Sequence, residues 1–261
     1  MLFVGIDLAW SPKNGSGLAV MRSDGTLQAS AVLYSNEEVV EYVHAQVQQK
    51  NALVAIDAPL VVPNEEGRRV AEAIVGNLFR KYNAGAHPSN RKRLGQWGGR
   101  PRGEVITELL GKKGFVHDPF LRQHEESRKV FEVYPHPSMV VLFNLETVIP
   151  YKAKPKRSYE SRWNAFVQYQ KHMQSLGKAN PPAVLGDIVT KDVRAMKGNA
   201  LKSYEDALDA IFCAYIAYYY WSLPEKCAVL GTMKDGYILT PIFDRMRGAL
   251  KPKGVQTKLT L

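Results

Sequence analysis

The chain has 261 residues, 45% of them hydrophobic, and its 35 Lys and Arg against 25 Asp and Glu give a net charge of +10. That much apolar content buries a full core, as one large α/β domain or as a domain with a sizeable insertion. The positive charge favours polyanionic partners, while Cys213 and Cys227, the only cysteines, are too few for a disulfide framework or a four-cysteine zinc site.

The opening MLFVGIDLAW lacks a basic leader, a cleavage site and the ~20 apolar residues that a bilayer crossing needs. It therefore reads as the first strand of a cytoplasmic protein. Apolar runs at Leu2 to Leu8, Leu18 to Met21 and Leu27 to Leu33, separated by Gly15-Ser16-Gly17 and Asp24-Gly25, predict a three-stranded meander. Ser35 or Asn36 caps the next segment, where Val39, Val40, Val43 and Val47 recur at helical spacing up to Lys50. Leu53 to Ile56 is a short apolar strand reached by that helical crossover, so it should lie parallel to a strand already in the sheet.

Residues 61–128 read as a helix and loop insertion, poor in core residues and rich in charge. Between Arg68 and Arg102 nine basic residues face one acid, Glu72. Either this is an ordinary solvated surface or it is a phosphate-facing one, with Arg69, Arg80, Arg91, Lys92 and Arg93 as candidate substrate-binding residues. A strand follows at Val130 to Tyr134, stopped by Pro135 and Pro137. Helices are expected at Ser161 to Leu176, Ala183 to Met196 and, most strongly, Ser203 to Trp221. Cys227 to Leu230 and Tyr237 to Ile242 flank Asp235-Gly236 as a closing hairpin. The KAKPKR run from Lys152 to Arg157 is the one biased segment.

Several acids break this pattern. Asp7 lies inside FVGIDLAW, where an unpaired carboxylate is costly. Asp57 ends the fourth strand in AIDAPL, as a turn former before Ala-Pro or as a ligand. On parallel neighbouring strands ~4.8 Å apart, the two carboxylates converge at the strands' carboxyl ends. Asp206 and Asp209 share one face of a late helix. A Ser203-x-x-Asp206 capping box explains Asp206 but not Asp209, which falls beyond the cap. Glu132, within VFEVYPHP, is either a solvent-facing strand residue or a fifth ligand. His136 either positions substrate or caps a turn. A set of hard oxygen ligands suits Mg²⁺ or Mn²⁺ and two-metal phosphodiester hydrolysis.

The order of elements with Asp7, Asp57 and the helix carrying Asp206 and Asp209 resembles the RNase H-like superfamily, in the arrangement of Holliday-junction resolvases. More closely, GIDLAW, AIDAPL, EVYPHPS and DALDAIFCAY resemble the domain of unknown function 429 family, together with GRRVAE at Gly67 to Glu72 and NAGAHPSNR at Asn83 to Arg91. The resemblance spans nearly the whole chain. It implies an RNase H-like mixed α/β sheet with flanking helices, and a metal-dependent nuclease that acts on DNA or RNA through Asp7, Asp57, Asp206 and Asp209 with Mg²⁺ or Mn²⁺.

Two other readings stand beside it. A binding module with a vestigial site would hold nucleic acid without cutting it. The GIDLAW to GSGLAV start also resembles the phosphate-binding hairpin of sugar and pantothenate kinases, although a tight hairpin uses the same glycines and no second copy of the pattern follows. A homodimer is left open.

Overall fold

The computed structural model describes residues 1–250. Three strands form the meander: β1 (Leu2–Asp7), β2 (Ser16–Arg22) and β3 (Leu27–Leu33), each antiparallel to the next. Helix α1 (Asn36–Val47) begins at the Ser35 capping box with Glu38 and buries Val39, Val40, Val43 and Val47. It returns the chain to β4 (Ala52–Asp57), parallel to β1, followed in the same sheet by β6 (Arg128–Glu132) and the short edge strand β5 (Val116–His117). The strand order is β3-β2-β1-β4-β6-β5, a six-stranded mixed sheet consistent with an RNase H-like arrangement. A separate hairpin pairs β7 (Cys227–Thr232) with β8 (Gly236–Pro241).

The period of two in the strands sorts the side chains onto two faces. Leu2, Val4 and Ile6 of β1, with Val54 and Ile56 of β4, pack under α1 and α4 (Arg102–Lys112). Phe3 of β1 and Leu53 and Ala55 of β4 pack on the opposite face against α7 (Gly198–Ser222) and α6 (Tyr159–Ser175). Asp7 and Asp57 continue this second row and are direct partners in the parallel register. Strand alternation therefore aims both carboxylates toward α7.

Two glycines let α7 come close to that face. A Cβ on Gly5 would meet the Ala210 carbonyl oxygen at 2.0 Å, and one on Gly17 would meet the Asp206 carbonyl oxygen at 1.9 Å. Both contacts are with backbone, so a side chain at either position would push the helix away. Gly17 thus serves helix-to-sheet contact within β2, directly opposite Asp7.

Four expectations need correction. The 61–128 segment is not poor in core: α2 (Val70–Phe79) buries Ala71, Val75 and Phe79 beneath the β7–β8 hairpin, and Ile106 and Leu110 of α4 join the core under α1. No helix spans Ala183 to Met196. Gly186 adopts a left-handed φ of 65°, and the segment folds as a bridge from Val184 to Thr26 followed by 3-10 turns at Gly186–Thr190 and Val193–Ala195. Leu185, Val189 and Val193 mimic helical spacing because each is buried as a plug in the core. Pro135 opens a further helix, α5 (Pro135–Leu142), as proline can when its missing N–H falls in the first turn. Helix α7 starts at Gly198, five residues before Ser203, so Ser203 and Asp206 are no capping box. No helix among the described residues is long and apolar enough to cross a membrane.

Candidate active site

Asp7 and Asp57 stand at the carboxyl ends of the two central parallel strands, and α7 brings Asp206 and Asp209 over them. Asp7, Asp206, Lys152 and Lys202 line a cleft of about 330 Å³ with the β1–β2 loop. Asp57 opens instead into a neighbouring cleft of about 100 Å³, with Tyr134, His87 and the Arg69 cluster. Trp10, 42% exposed, lines both clefts, and the Arg93 guanidinium lies 4.8 Å from its ring centroid.

Asp209 is fully buried three turns into α7. Its Oδ1 accepts hydrogen bonds from the Tyr151 hydroxyl at 2.7 Å and the Tyr169 hydroxyl at 3.3 Å. Its Oδ2 has no hydrogen bond of good geometry and faces the Lys152 ammonium at 2.9 Å. Asp206 accepts from Lys202 at 2.5 Å, and Lys202 also reaches Glu205 at 3.0 Å. Glu205 is paired in addition with Arg162 at 3.3 Å.

The electrostatics follow from four acids gathered in little water. Burial pushes the Asp7 carboxyl well above the usual carboxylate range, with Lys152 opposing and Asp209, Asp57 and Asp206 adding to the rise. Burial likewise raises Asp57 to about 7 and raises Asp206, against Lys152 and Lys202 respectively. For Lys152 burial works to lower the pKa, but Asp209, Asp7 and Asp57 outweigh it and hold the ammonium firmly charged. Burial, helped by Lys152, lowers His136 to about 3, so the imidazole is neutral. Its Nδ1 lies 3.2 Å from the Tyr134 hydroxyl, and it makes no cap at the start of α5.

The remaining candidates divide sharply. Both oxygens of Glu132 are taken by Arg69, at 2.6 and 2.9 Å, and the Leu60 amide donates to it as well. Glu132 is paired with Ile56 in the register, one residue out of phase with Asp57, so it is spent on Arg69 and does not join the acid cluster. Arg69 is correspondingly enclosed: it also binds Glu72 at 2.6 Å and the Val61 carbonyl at 2.9 Å, and two carboxylates neutralise it. Arg80 is exposed at the end of α2. Arg91 pairs with Glu104 and Lys92 with Glu66, acids that lie just outside the basic stretch in sequence.

Four site residues escaped the sequence reading. Lys152 was absorbed into the biased KAKPKR run, although the buried Tyr151 before it marks a segment threaded through the core. Lys202 precedes Asp206 by one helical turn, a pairing that i,i+4 spacing displays once α7 is known to start at Gly198. Trp10 and Arg102 carried no signal of their own. Arg102, nearly buried, donates to the Ala9 carbonyl at 2.9 Å and the Ser16 hydroxyl at 3.1 Å, holding the loop that forms the cleft wall.

Among the described residues, no group of three or more His, Cys, Asp or Glu side chains is arranged to hold a metal ion as it stands. The Lys152 ammonium lies 2.9 Å from Asp209, on the oxygen that the tyrosines leave free. A search of curated proteins finds no match to the chain. Residues 5–232 match the model of the family described as Protein of unknown function (DUF429), and the chain belongs to that family.

Proposed function

We propose that this protein is a divalent-metal-dependent hydrolase of phosphodiester bonds in nucleic acid. The observation that carries the reading is the in-register pair Asp7 and Asp57 at the carboxyl ends of parallel strands, met by Asp206 and Asp209 from a helix pressed onto the sheet at Gly5 and Gly17. Such a set is expensive to bury without a cation, and hard carboxylate oxygens suit Mg²⁺ or Mn²⁺.

The fit of such an ion rests on two features. The buried Asp209 Oδ2 makes no hydrogen bond of good geometry and has only the Lys152 ammonium, at 2.9 Å, against it, and the acids outnumber the cations beside them. Asp7, Asp57 and Asp209 would hold the ion, with Asp206 beside them. When bound, it would supply Lewis-acid stabilisation of the phosphoryl oxygens and an activated water. The chain's own groups do the rest. Tyr151 and Tyr169 fix the Asp209 carboxylate through its other oxygen. Trp10 offers an exposed ring at the cleft mouth for stacking against a base, with Arg93 beside it for a phosphate.

The test is a cleavage screen of the purified protein with Mg²⁺ and Mn²⁺ across duplex, single-stranded, hybrid and four-way-junction substrates. Metal-dependent cutting of at least one class is expected, with loss of cutting in Asp7→Asn. A second reading, a nucleic-acid-binding module with a vestigial site, is favoured by the ammonium of Lys152 among the acids. Tight binding without cleavage of any substrate would establish it in place of the first.

A further inference from the structure

We propose that the small cleft beside Asp57 receives one unpaired nucleobase of the strand to be cut, so that the protein selects locally unpaired nucleic acid over continuous duplex. The inference rests on the hydrolase reading above and names the substrate class of that site.

The first support is shape. An enclosed cavity of about 150 Å³ holds benzene, so an open cleft of about 100 Å³ admits one ring system and no base pair. Its walls are largely apolar: Pro59, Val133 and Ile238 line it, the last two buried, and the exposed ring of Trp10 adds an aromatic face. Such walls suit a flat heterocycle.

The second is the polar groups left over on that lining. Ser89 is only 7% exposed, yet its hydroxyl makes no hydrogen bond among the described residues; its carbonyl alone is used, by the Asn64 side-chain amide at 3.0 Å. Tyr134 has one hydroxyl proton for the Gly85 carbonyl at 3.4 Å or His136 Nδ1 at 3.2 Å, which leaves its oxygen able to accept. A nucleobase edge carries the matching donors and acceptors.

The third is charge. Arg69, the one arginine on the lining, is engaged by Glu72, Glu132 and the Val61 carbonyl, and no lysine lines this cleft among the described residues. A phosphate there would meet two glutamates and no free guanidinium. Cations stand instead at Trp10, where Arg93 lies 4.8 Å from the ring centroid, and on the larger cleft, lined by Lys152 and Lys202. Asp57 lines the small cleft and its register partner Asp7 the larger one, so a neutral base held in the first sets its phosphate toward the acid pair. In continuous duplex that base is stacked and paired, and it enters only after extrusion, a cost that an unpaired base does not bear.

The experiment measures binding by fluorescence anisotropy with Ca²⁺ in place of Mg²⁺. The probes, in DNA and in RNA, are a continuous duplex, the same duplex with one bulged nucleotide, and the single strand. The proteins are wild type, Ala86→Phe and Ser89→Ala, with circular dichroism to check each fold. Wild type should bind the bulged duplex at least about tenfold more tightly than the continuous one, since stacking is gained and extrusion avoided. Ala86→Phe, which puts a ring into the cleft from a half-buried position on its lining, should bring that ratio close to one. Ser89→Ala removes the hydroxyl alone and should lower the ratio about threefold, which decides the matter if the larger side chain disturbs the fold. Equal affinity for the two duplexes in wild type, or a ratio that neither variant lowers, would overturn the proposal and leave the hydrolase reading standing. If wild type binds none of the three probes, both fall together.

Discussion

At the scale of single residues, Asp7 and Asp209 make the sharpest predictions because each is a carboxylate placed where the fold alone gains little from it. Asp7→Asn keeps the shape of the side chain and removes a charge that burial disfavours, so the metal-free variant should melt no earlier than wild type. Its cleavage should fall by at least about 100-fold while nucleic-acid binding persists, measured by single-turnover assays beside a binding isotherm. Asp209→Asn retains an oxygen for the Tyr151 and Tyr169 hydroxyls, so the protein should fold and still lose activity. Capping cannot account for such a loss, because Asp209 sits three turns inside α7. Asp57 carries a pH signature of definite sign. Burial raises its folded pKa to about 7, above the ordinary aspartate range, so the folded state binds the extra proton and stability is lost as pH rises through that window. In metal-free buffer Asp57→Asn should therefore gain Tm relative to wild type on going from about pH 4 to about pH 7, by on the order of several °C. A constant difference across that range would contradict the raised pKa.

At the scale of elements, the site depends on how closely α7 lies on β1 and β2. Gly17→Ala places a methyl against the Asp206 backbone, which cannot swing aside, so the variant should lose about 1–3 kcal/mol or more by denaturant melting and lose activity with it. Gly76→Ala in α2 meets nothing within 4 Å and should be neutral or stabilising by up to ~1 kcal/mol. Equal effects at the two positions would refute close approach as the role of Gly17. The Arg69 cluster is a second joint, tying α2 to β6 beside Asp57. Arg69→Ala strands Glu72 and Glu132 in the interior and should cost roughly 3–5 kcal/mol. A variant that melts like wild type but binds nucleic acid poorly would return Arg69 to the substrate-binding set.

At the scale of the whole molecule, the net charge of +10 overstates the unpaired positive charge of the 68–102 stretch. Within the basic stretch Arg69, Arg91, Lys92 and Arg100 are paired with carboxylates, and Arg102 is consumed by loop carbonyls. Of the adjacent Arg91, Lys92 and Arg93, only Arg93 has no carboxylate partner among the described residues; it lies over Trp10 at the cleft mouth. Replacing all three with Ala should weaken binding and lower the slope of log affinity against log salt by about one phosphate's worth and not three. A drop near three would mean that the Glu66 and Glu104 pairs open on binding.

The meander, the crossover helix, the parallel strand and the long buried helix were legible in the sequence because each is a local pattern: alternation in GIDLAW and AIDAPL, valines at helical spacing in α1, an almost wholly apolar α7. The same locality exposed Asp7 and Asp209 as acids out of place. Long-range contact decided the rest. Strand register set Glu132 one residue out of phase with Asp57 and gave it to Arg69, and a folded loop put Glu66 and Glu104 beside arginine and lysine that a window count had left unpaired. Lys152 among the acids was the furthest from view. Its neighbours there are 57, 95 and 145 residues away at Asp209, Asp57 and Asp7, and no propensity, period or local spacing encodes a meeting that only the packed core brings about.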